Sequence, residues 1–261
     1  MKNDTIRYHR PGTMEEFEAL LAGGPEKIVF LAGGNFPAHA LEDGATLIDL
    51  QTLGWDRVYR SGDDLVMGSL ATLEQIRTAE PGLADLKEVL SIEAGLNVRN
   101  SLSLLNFLQS ADDRSPFLTA LLALAPEVVL VPAQKTIPLE KYLSQTQMGK
   151  LELISEMRCI LPEAFAFESV ARTPKDRPLI CLAVARDRAG GLRVTCGGTA
   201  KAPQVLPETN QLESLTYLVR QAYQESGDQW ASAEYRKEVA VVLLNRCLQK
   251  IVLSSIRKEA K

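Results

Sequence analysis

Apolar and polar positions in the first half of the chain alternate between strand-like runs and helical periods. Thr13 to Leu21 (TMEEFEALL) predicts a helix, with Thr13 placed as its cap and Glu16 three positions on to complete a capping box. Ile28-Val29-Phe30-Leu31-Ala32 is a short apolar run with glycines on both sides. It predicts a strand buried on both faces, as in a parallel sheet with crossover helices. Leu47-Ile48-Asp49-Leu50 reads as the next strand. Val58 to Arg60 and Leu65 to Ser69 flank the polar turn Ser61-Gly62-Asp63-Asp64 and predict a hairpin. Helical patterns follow at Thr72 to Ala79, Leu83 to Ser91 and Phe117 to Leu124, then a strand at Glu127 to Val131. Pro138 to Leu143 opens a short helix with proline in its first turn.

After about residue 146 the pattern changes. Glu152 to Ile160, Phe165 to Arg172, Leu179 to Arg186 and Gly191 to Cys196 read as successive strands, with Gly190-Gly191 as a turn between the last two. Connections this short rule out crossovers, so the pattern predicts one antiparallel sheet. Two helices follow, at Leu212 to Gln224 and about Ala233 to Arg257; in the second, Val239, Val242, Leu243, Leu248 and Ile251 recur near helical spacing. Ser232 ahead of Glu234 suits that helix's start, with an acid near the positive end of the dipole. The expected fold mixes α/β and α+β: two α/β subdomains, then a C-terminal antiparallel sheet packed with helices. Its segments run 1–55, 56–145 and 146–261.

Composition narrows the chemistry. The 261 residues, 46% hydrophobic and 24% charged, suit a globular chain of one large domain or two to three compact ones. Lys+Arg 29 against Asp+Glu 33 leaves a net charge of −4, which does not favour an electrostatic grip on nucleic acid or anionic lipid. Cys159, Cys181, Cys196 and Cys247 are spread out with no C-x-x-C pair, arguing against an iron–sulfur cluster or structural zinc in this chain and for buried thiols in a reducing cytoplasm. His9 and His39 have no nucleophile or acid motif beside them, so no catalytic side chain is assigned. No secretory leader is evident, and the longest apolar stretch, Phe117 to Val131, is broken by Pro126 and Glu127.

The most informative local feature is Ala32-Gly33-Gly34-Asn35-Phe36 after the buried strand. Two glycines let the backbone turn sharply and approach a ligand, and successive amides in such a turn can cradle a phosphate. An ordinary tight turn has the same sequence, and G-x-G-x-x-G is absent. The motifs taken together resemble the FAD-binding medium subunit of the molybdenum hydroxylases, the family of carbon monoxide dehydrogenase and xanthine dehydrogenase. AGGNF (Ala32 to Phe36), LIDL (Leu47 to Leu50), MGSLATLEQI (Met67 to Ile76), NVRN (Asn97 to Asn100), TALLAL (Thr119 to Leu124), GGLRVTCGGTAKAP (Gly190 to Pro203) and ASAEYRKEVA (Ala231 to Ala240) follow the family's motifs in order and at similar spacings over nearly the whole chain.

The resemblance implies that an FAD diphosphate lies between two glycine-containing loops. Ala32, Gly33 and Gly34 match the first, with Asn35 and Phe36 in its variable positions. The second, GTIGGN in the family, falls on Leu102 to Phe107: Ser103 and Leu104 are mild replacements, whereas Leu105 and Asn106 stand where the family has two glycines. Asparagine tolerates the left-handed backbone and leucine does so poorly. The family's Asp of DLPPAL falls on Pro116. Leu153 in Glu152-Leu153-Ile154 matches a segment near the isoalloxazine, and Lys175 a stretch where relatives carry basic residues near the flavin; an apolar strand start and a solvated turn lysine are the ordinary readings. Tyr235-Arg236 is read as packing and capping. The implied role is an electron-transfer flavoprotein subunit beside a molybdopterin-binding subunit and a two-cluster iron–sulfur subunit, with a homodimer allowed. The alternative is a flavin-free structural or regulatory subunit that keeps the fold. An unrelated α/β enzyme would need an acid–base or nucleophile constellation that the sequence does not offer.

Overall fold

The computed structural model describes residues 6–24, 28–33, 44–79, 84–147, 152–174 and 176–259. They fall into two compact units: residues 1–80, 96–109 and 127–158 form the first, and residues 81–95, 110–126 and 159–261 the second.

In the first unit β1 (Arg7–His9), β2 (Ile28–Leu31) and β3 (Thr46–Asp49) make a parallel sheet of order β1-β3-β2. Helix α1 (Met14–Ala22) lies between β1 and β2 in sequence and is the crossover between these two strands, which flank β3 and run parallel to it. Thr13 caps α1 by accepting from the Glu16 amide, but Glu16 reaches back one residue further than a capping box, to the Gly12 amide at 2.7 Å. The β2 run is half-buried throughout, not buried on both faces as its composition predicts. Its neighbour β3 is the buried central strand.

The hairpin forms as β4 (Val58–Ser61) and β5 (Asp64–Gly68). It joins a five-stranded sheet of order β4-β5-β8-β6-β7, with β6 (Glu127–Val131), β7 (Lys135–Pro138) and β8 (Leu153–Ile160). The predicted strand at 152–160 is therefore real but belongs here, paired antiparallel to β6, and not to the C-terminal sheet. Pro138 closes β7, and the following helix, numbered α7 below, runs longer than its sequence pattern, over Leu139–Gln147. Helices α2 (Leu73–Thr78), α4 (Leu96–Ser101) and α5 (Leu104–Ser110) complete this unit's framework. Neither α4 nor α5 has an uninterrupted helical period long enough to announce it in the sequence.

The second unit is built on β9 (Ala164–Val170), β10 (Ile180–Arg186), β11 (Leu192–Gly197) and β12 (Gln204–Val205), antiparallel in the order β12-β11-β10-β9. Helices α3 (Ala84–Glu93), α6 (Pro116–Ala123), α8 (Leu212–Ala222) and α9 (Ala233–Glu259) cover it. Strand β10 is apolar from Ile180 to Ala185 because both of its faces are buried. Ile180, Leu182 and Val184 join the cluster with Leu215, Val219, Leu243 and Leu244 of α8 and α9. On the other face Cys181 lies 3.3 Å from Thr119 of α6. Ser232 caps α9 by accepting from the Tyr235 amide.

Candidate cofactor site

The two segments that the resemblance singles out meet inside the first unit. At the end of β2 the chain passes through buried Ala32 into Gly33, whose φ of +94° lies in the region that favours glycine. Among the described residues, an added Cβ at Gly33 would meet one neighbour within 4 Å, the Ser103 Cβ at 3.9 Å, an ordinary contact. The carboxamide of Asn106 reaches across to the Ala32 carbonyl, donating from Nδ2 at 3.5 Å. Ala32, Gly33, Ser103 and Asn106 are thus neighbours in space although some seventy positions separate the pairs.

The second segment is held from behind. Residues 102–105 run against 69–73: Leu73 N–H donates to Leu102 O at 3.0 Å, Leu104 N–H to Ala71 O at 2.9 Å and Leu105 N–H to Ser69 O at 2.8 Å, with Thr72 and Ser103 in an antiparallel bridge. The chain then turns into α5, where Ser103 acts as cap: its Oγ accepts from Asn106 N–H at 3.3 Å and its carbonyl from Phe107 N–H at 2.9 Å. All four amides from Leu104 to Phe107 are therefore engaged by the protein itself. Leu105, where the resemblance places a glycine, is 1% exposed and packs as a core residue of α5.

The framework behind this segment explains two further motifs. Arg99 of NVRN is buried, and its Nε donates to Glu74 Oε2 at 2.6 Å, tying α4 to α2. Arg77 binds the same carboxylate, and the two guanidinium groups hold the Glu74 carboxyl down to about 2.

Gly34, Asn35, Phe36 and Lys175 lie outside the described residues. Leu153 opens β8 with its side chain buried in the sheet, opposite Val131. In the second unit Pro116 is the first residue of α6, where its missing N–H costs nothing. Ser115 caps that helix by accepting from Leu118 N–H, and Glu93 accepts from both Ser115 Oγ at 2.7 Å and Phe117 N–H at 2.9 Å. Burial pushes the Glu93 carboxyl up, against the pull of these hydrogen bonds. Glu93 escapes a motif-based reading because it sits twenty-odd residues before the helix it caps.

Arg236 of ASAEYRKEVA is a buried anchor: Nη1 donates to the Gly198 carbonyl at 2.8 Å and Nη2 to the Asp228 carboxylate. Among the described residues no helix is long and apolar enough to cross a membrane.

Comparison with known proteins agrees with this arrangement. Residues 4–162 match the model of the FAD binding domain in molybdopterin dehydrogenase. The uncharacterized protein YgfM of Escherichia coli K12 is 26% identical over 247 residues, covering 91% of this chain and 93% of that protein. Among solved structures, a chain of the Cu,Mo-CO dehydrogenase superposes with a TM-score of 0.73 at 20% identity, covering 95% of this chain and 98% of that one. A chain of carbon monoxide dehydrogenase from Hydrogenophaga pseudoflava gives 0.72 at 21% identity, over 97% and 99%. Quinoline 2-oxidoreductase from Pseudomonas putida 86 gives 0.69 at 18%, over 96% and 98%. At these identities the solved structures establish the fold, and the match over residues 4–162 establishes the family: the chain belongs to the FAD-binding domain family of molybdopterin dehydrogenases.

Proposed function

We propose that this chain is the FAD-carrying subunit of a molybdopterin-dependent oxidoreductase of the cytoplasm, working beside a molybdopterin-binding subunit and a two-cluster iron–sulfur subunit. The observation that carries the reading is the meeting of Ala32–Gly33 with Ser103–Asn106 in a chain of this family. The first loop fits a diphosphate: Gly33 holds a positive φ with no Cβ to fend off an anion, and among the described residues none comes within 3.9 Å of where a Cβ would stand. The second fits through a different donor set, since its amides are engaged and its polar side chain facing the first loop is Asn106.

FAD bound there would supply the redox chemistry, taking electrons that originate in substrate oxidation and handing them to an external acceptor. The chain's own task is to bind the dinucleotide, orient it and keep its diphosphate out of bulk water. No side chain is needed as a general acid or base. In this reading residues 1–55 and 56–145 are the two FAD-binding subdomains, residues 146–261 the C-terminal domain, and Leu153 belongs to the segment near the flavin.

The engaged amides of Leu104 to Phe107 favour a second reading, a structural subunit that keeps the fold without flavin. An absorption spectrum of the freshly purified chain, followed by an FAD titration read by melting temperature, separates the two. The flavoprotein reading expects flavin absorbance released on denaturation and, at a hundredfold excess over Kd, about 2.7 kcal/mol of added stability. A colourless protein that FAD neither colours nor stabilises overturns it and leaves the structural subunit.

A further inference from the structure

We propose that the outward face of α9 is a docking surface for a second copy of this chain, the two helices packing antiparallel about a twofold axis at Val242. The proposal does not depend on whether flavin is bound.

Helix α9 has two faces. Ala240, Leu243, Leu244, Cys247 and Ile251 are buried in the second unit's core. Val242 belongs to the same apolar recurrence in the sequence, yet it is 48% exposed. Tyr235 stands two turns before it and Leu253 three turns after, 46% and 56% exposed, so the three follow one line along the helix. Helix α8 extends that surface. Its Arg220 forms an ion pair with Glu238 of α9, and Tyr217, one turn before Arg220, is 62% exposed. Large apolar residues half out of water, gathered around an ion pair, have the composition of an interface and not of a solvated helix face.

Charge along the line says what covers it. Glu238 precedes Val242 by one turn and Arg246 follows it by one turn, both more than half exposed. A second α9 laid parallel and in register would set Glu238 against Glu238 and Arg246 against Arg246. Laid antiparallel about Val242, it sets Glu238 of each copy against Arg246 of the other. Val242 then meets Val242, as a twofold-symmetric contact requires. Tyr235 of one copy lies over the turns of the other that carry exposed Arg246, Gln249 and Leu253. Neither charge has to leave its partner in its own chain. The Glu238 carboxylate has lone pairs beyond those that Arg220 takes, and Arg246, 3.9 Å from Glu168, has five N–H donors. A contact confined to two helices is small by the standard of stable complexes, so the dimer is expected at about micromolar concentrations and not as an obligate pair.

The test is sedimentation velocity of the full-length chain over a concentration series at low and high salt, with Val242→Asp, Glu238→Arg and Arg246→Glu. Wild type should pass from monomer to dimer as concentration rises, and less readily at high salt. Val242→Asp sets two carboxylates face to face across the axis and should raise the dimer Kd by more than about tenfold. Each charge variant reverses both symmetry-related contacts and should raise it about tenfold. An equimolar mixture of Glu238→Arg with Arg246→Glu restores opposite charges at both contacts, so the mixture should dimerise as wild type does. A wild-type chain that stays monomeric overturns the proposal; if its α9 gains hydrogen-exchange protection only beside a molybdopterin-binding or iron–sulfur subunit, the face belongs to that subunit. A dimer that all three variants leave unchanged uses another surface and overturns it too. Weakened charge variants whose mixture does not recover overturn the antiparallel pairing. Melting curves confirm folding, and Val242→Asp carries the test should Glu238→Arg, which also loses the Arg220 ion pair, fail to fold.

Discussion

Two diglycine bends, Ala32-Gly33-Gly34 in the first unit and Cys196-Gly197-Gly198 in the second, look alike in the sequence, each at the end of a strand. Their surroundings differ. Gly33 and Gly198 both hold positive φ, +94° and +83°. At Gly33 an added methyl would make an ordinary contact with Ser103. At Gly198 it would overlap the Leu179 carbonyl, and at Gly197 the Thr119 hydroxyl and the Cys181 sulfur. The second bend is also fastened on every side: Gly198 N–H donates to Asp113 O at 2.6 Å, Ala200 N–H to Asp113 Oδ2 at 2.9 Å, and the Tyr223 hydroxyl to Gly197 O at 2.8 Å. One bend has glycine because the protein itself comes close. At the other, among the described residues, nothing comes closer to an added Cβ than Ser103 at 3.9 Å, and the glycine answers to a positive φ. A diglycine therefore answers to close approach or to backbone geometry, and its neighbours decide which.

Substitutions can break that contrast. Arg236→Ala should have the largest effect, because it removes a buried guanidinium that holds Gly198 O and leaves Asp228 without that partner. A loss of about 3–5 kcal/mol is expected, measured by urea unfolding. Gly198→Ala should cost about 2–5 kcal/mol, combining left-handed strain with overpacking. A loss below 1 kcal/mol would mean that the second bend is not packed shut.

Gly33→Ala should cost only the strain, about 1–2 kcal/mol. Gly33→Val, which adds a branched Cβ on the ligand side, should abolish FAD binding in a chain that still folds. Unchanged FAD affinity in the folded valine variant would erase the functional half of the contrast.

The smallest effect concerns the support behind the second loop. Arg77 and Arg99 depress the Glu74 carboxyl from its usual 4.5 to about 2. A depressed acid stabilises the fold when ionised, so its contribution is complete above pH 4.5 and is lost as pH falls towards about 2. The Glu74 side chain is 15% exposed and Arg77 29%, so solvent screens part of the interaction and keeps the effect modest. Urea midpoints measured between pH 6 and pH 2.5 should fall less steeply in Glu74→Gln than in wild type; parallel curves would show that the ion pairs contribute nothing.

Local patterns determined the elements whose signal lies within a few residues of chain. The capped helix α1, the strand-and-bend at Ile28 to Gly33, the hairpin β4–β5 and the strands β9 to β11 of the second unit's sheet were legible, because alternation, caps and turn residues act over short range; the two-residue β12 was not. The order of motifs was legible too, and with it the family.

Partnership was not legible. Strand β8 follows the same alternation as β9 yet pairs with β6, since the choice between two sheets depends on which apolar face has a match in space. Leucine at 105 stands where the family has a glycine, and only the structure shows it 1% exposed as a core residue of α5, because burial is set by what the helix packs on. That the amides of Leu104 to Phe107 are engaged, and that Asn106 reaches Ala32, follow from chain segments far apart in sequence brought side by side. Residue type fixes what each group is able to donate, accept or bury, and the tertiary structure decides which of those capacities is already in use.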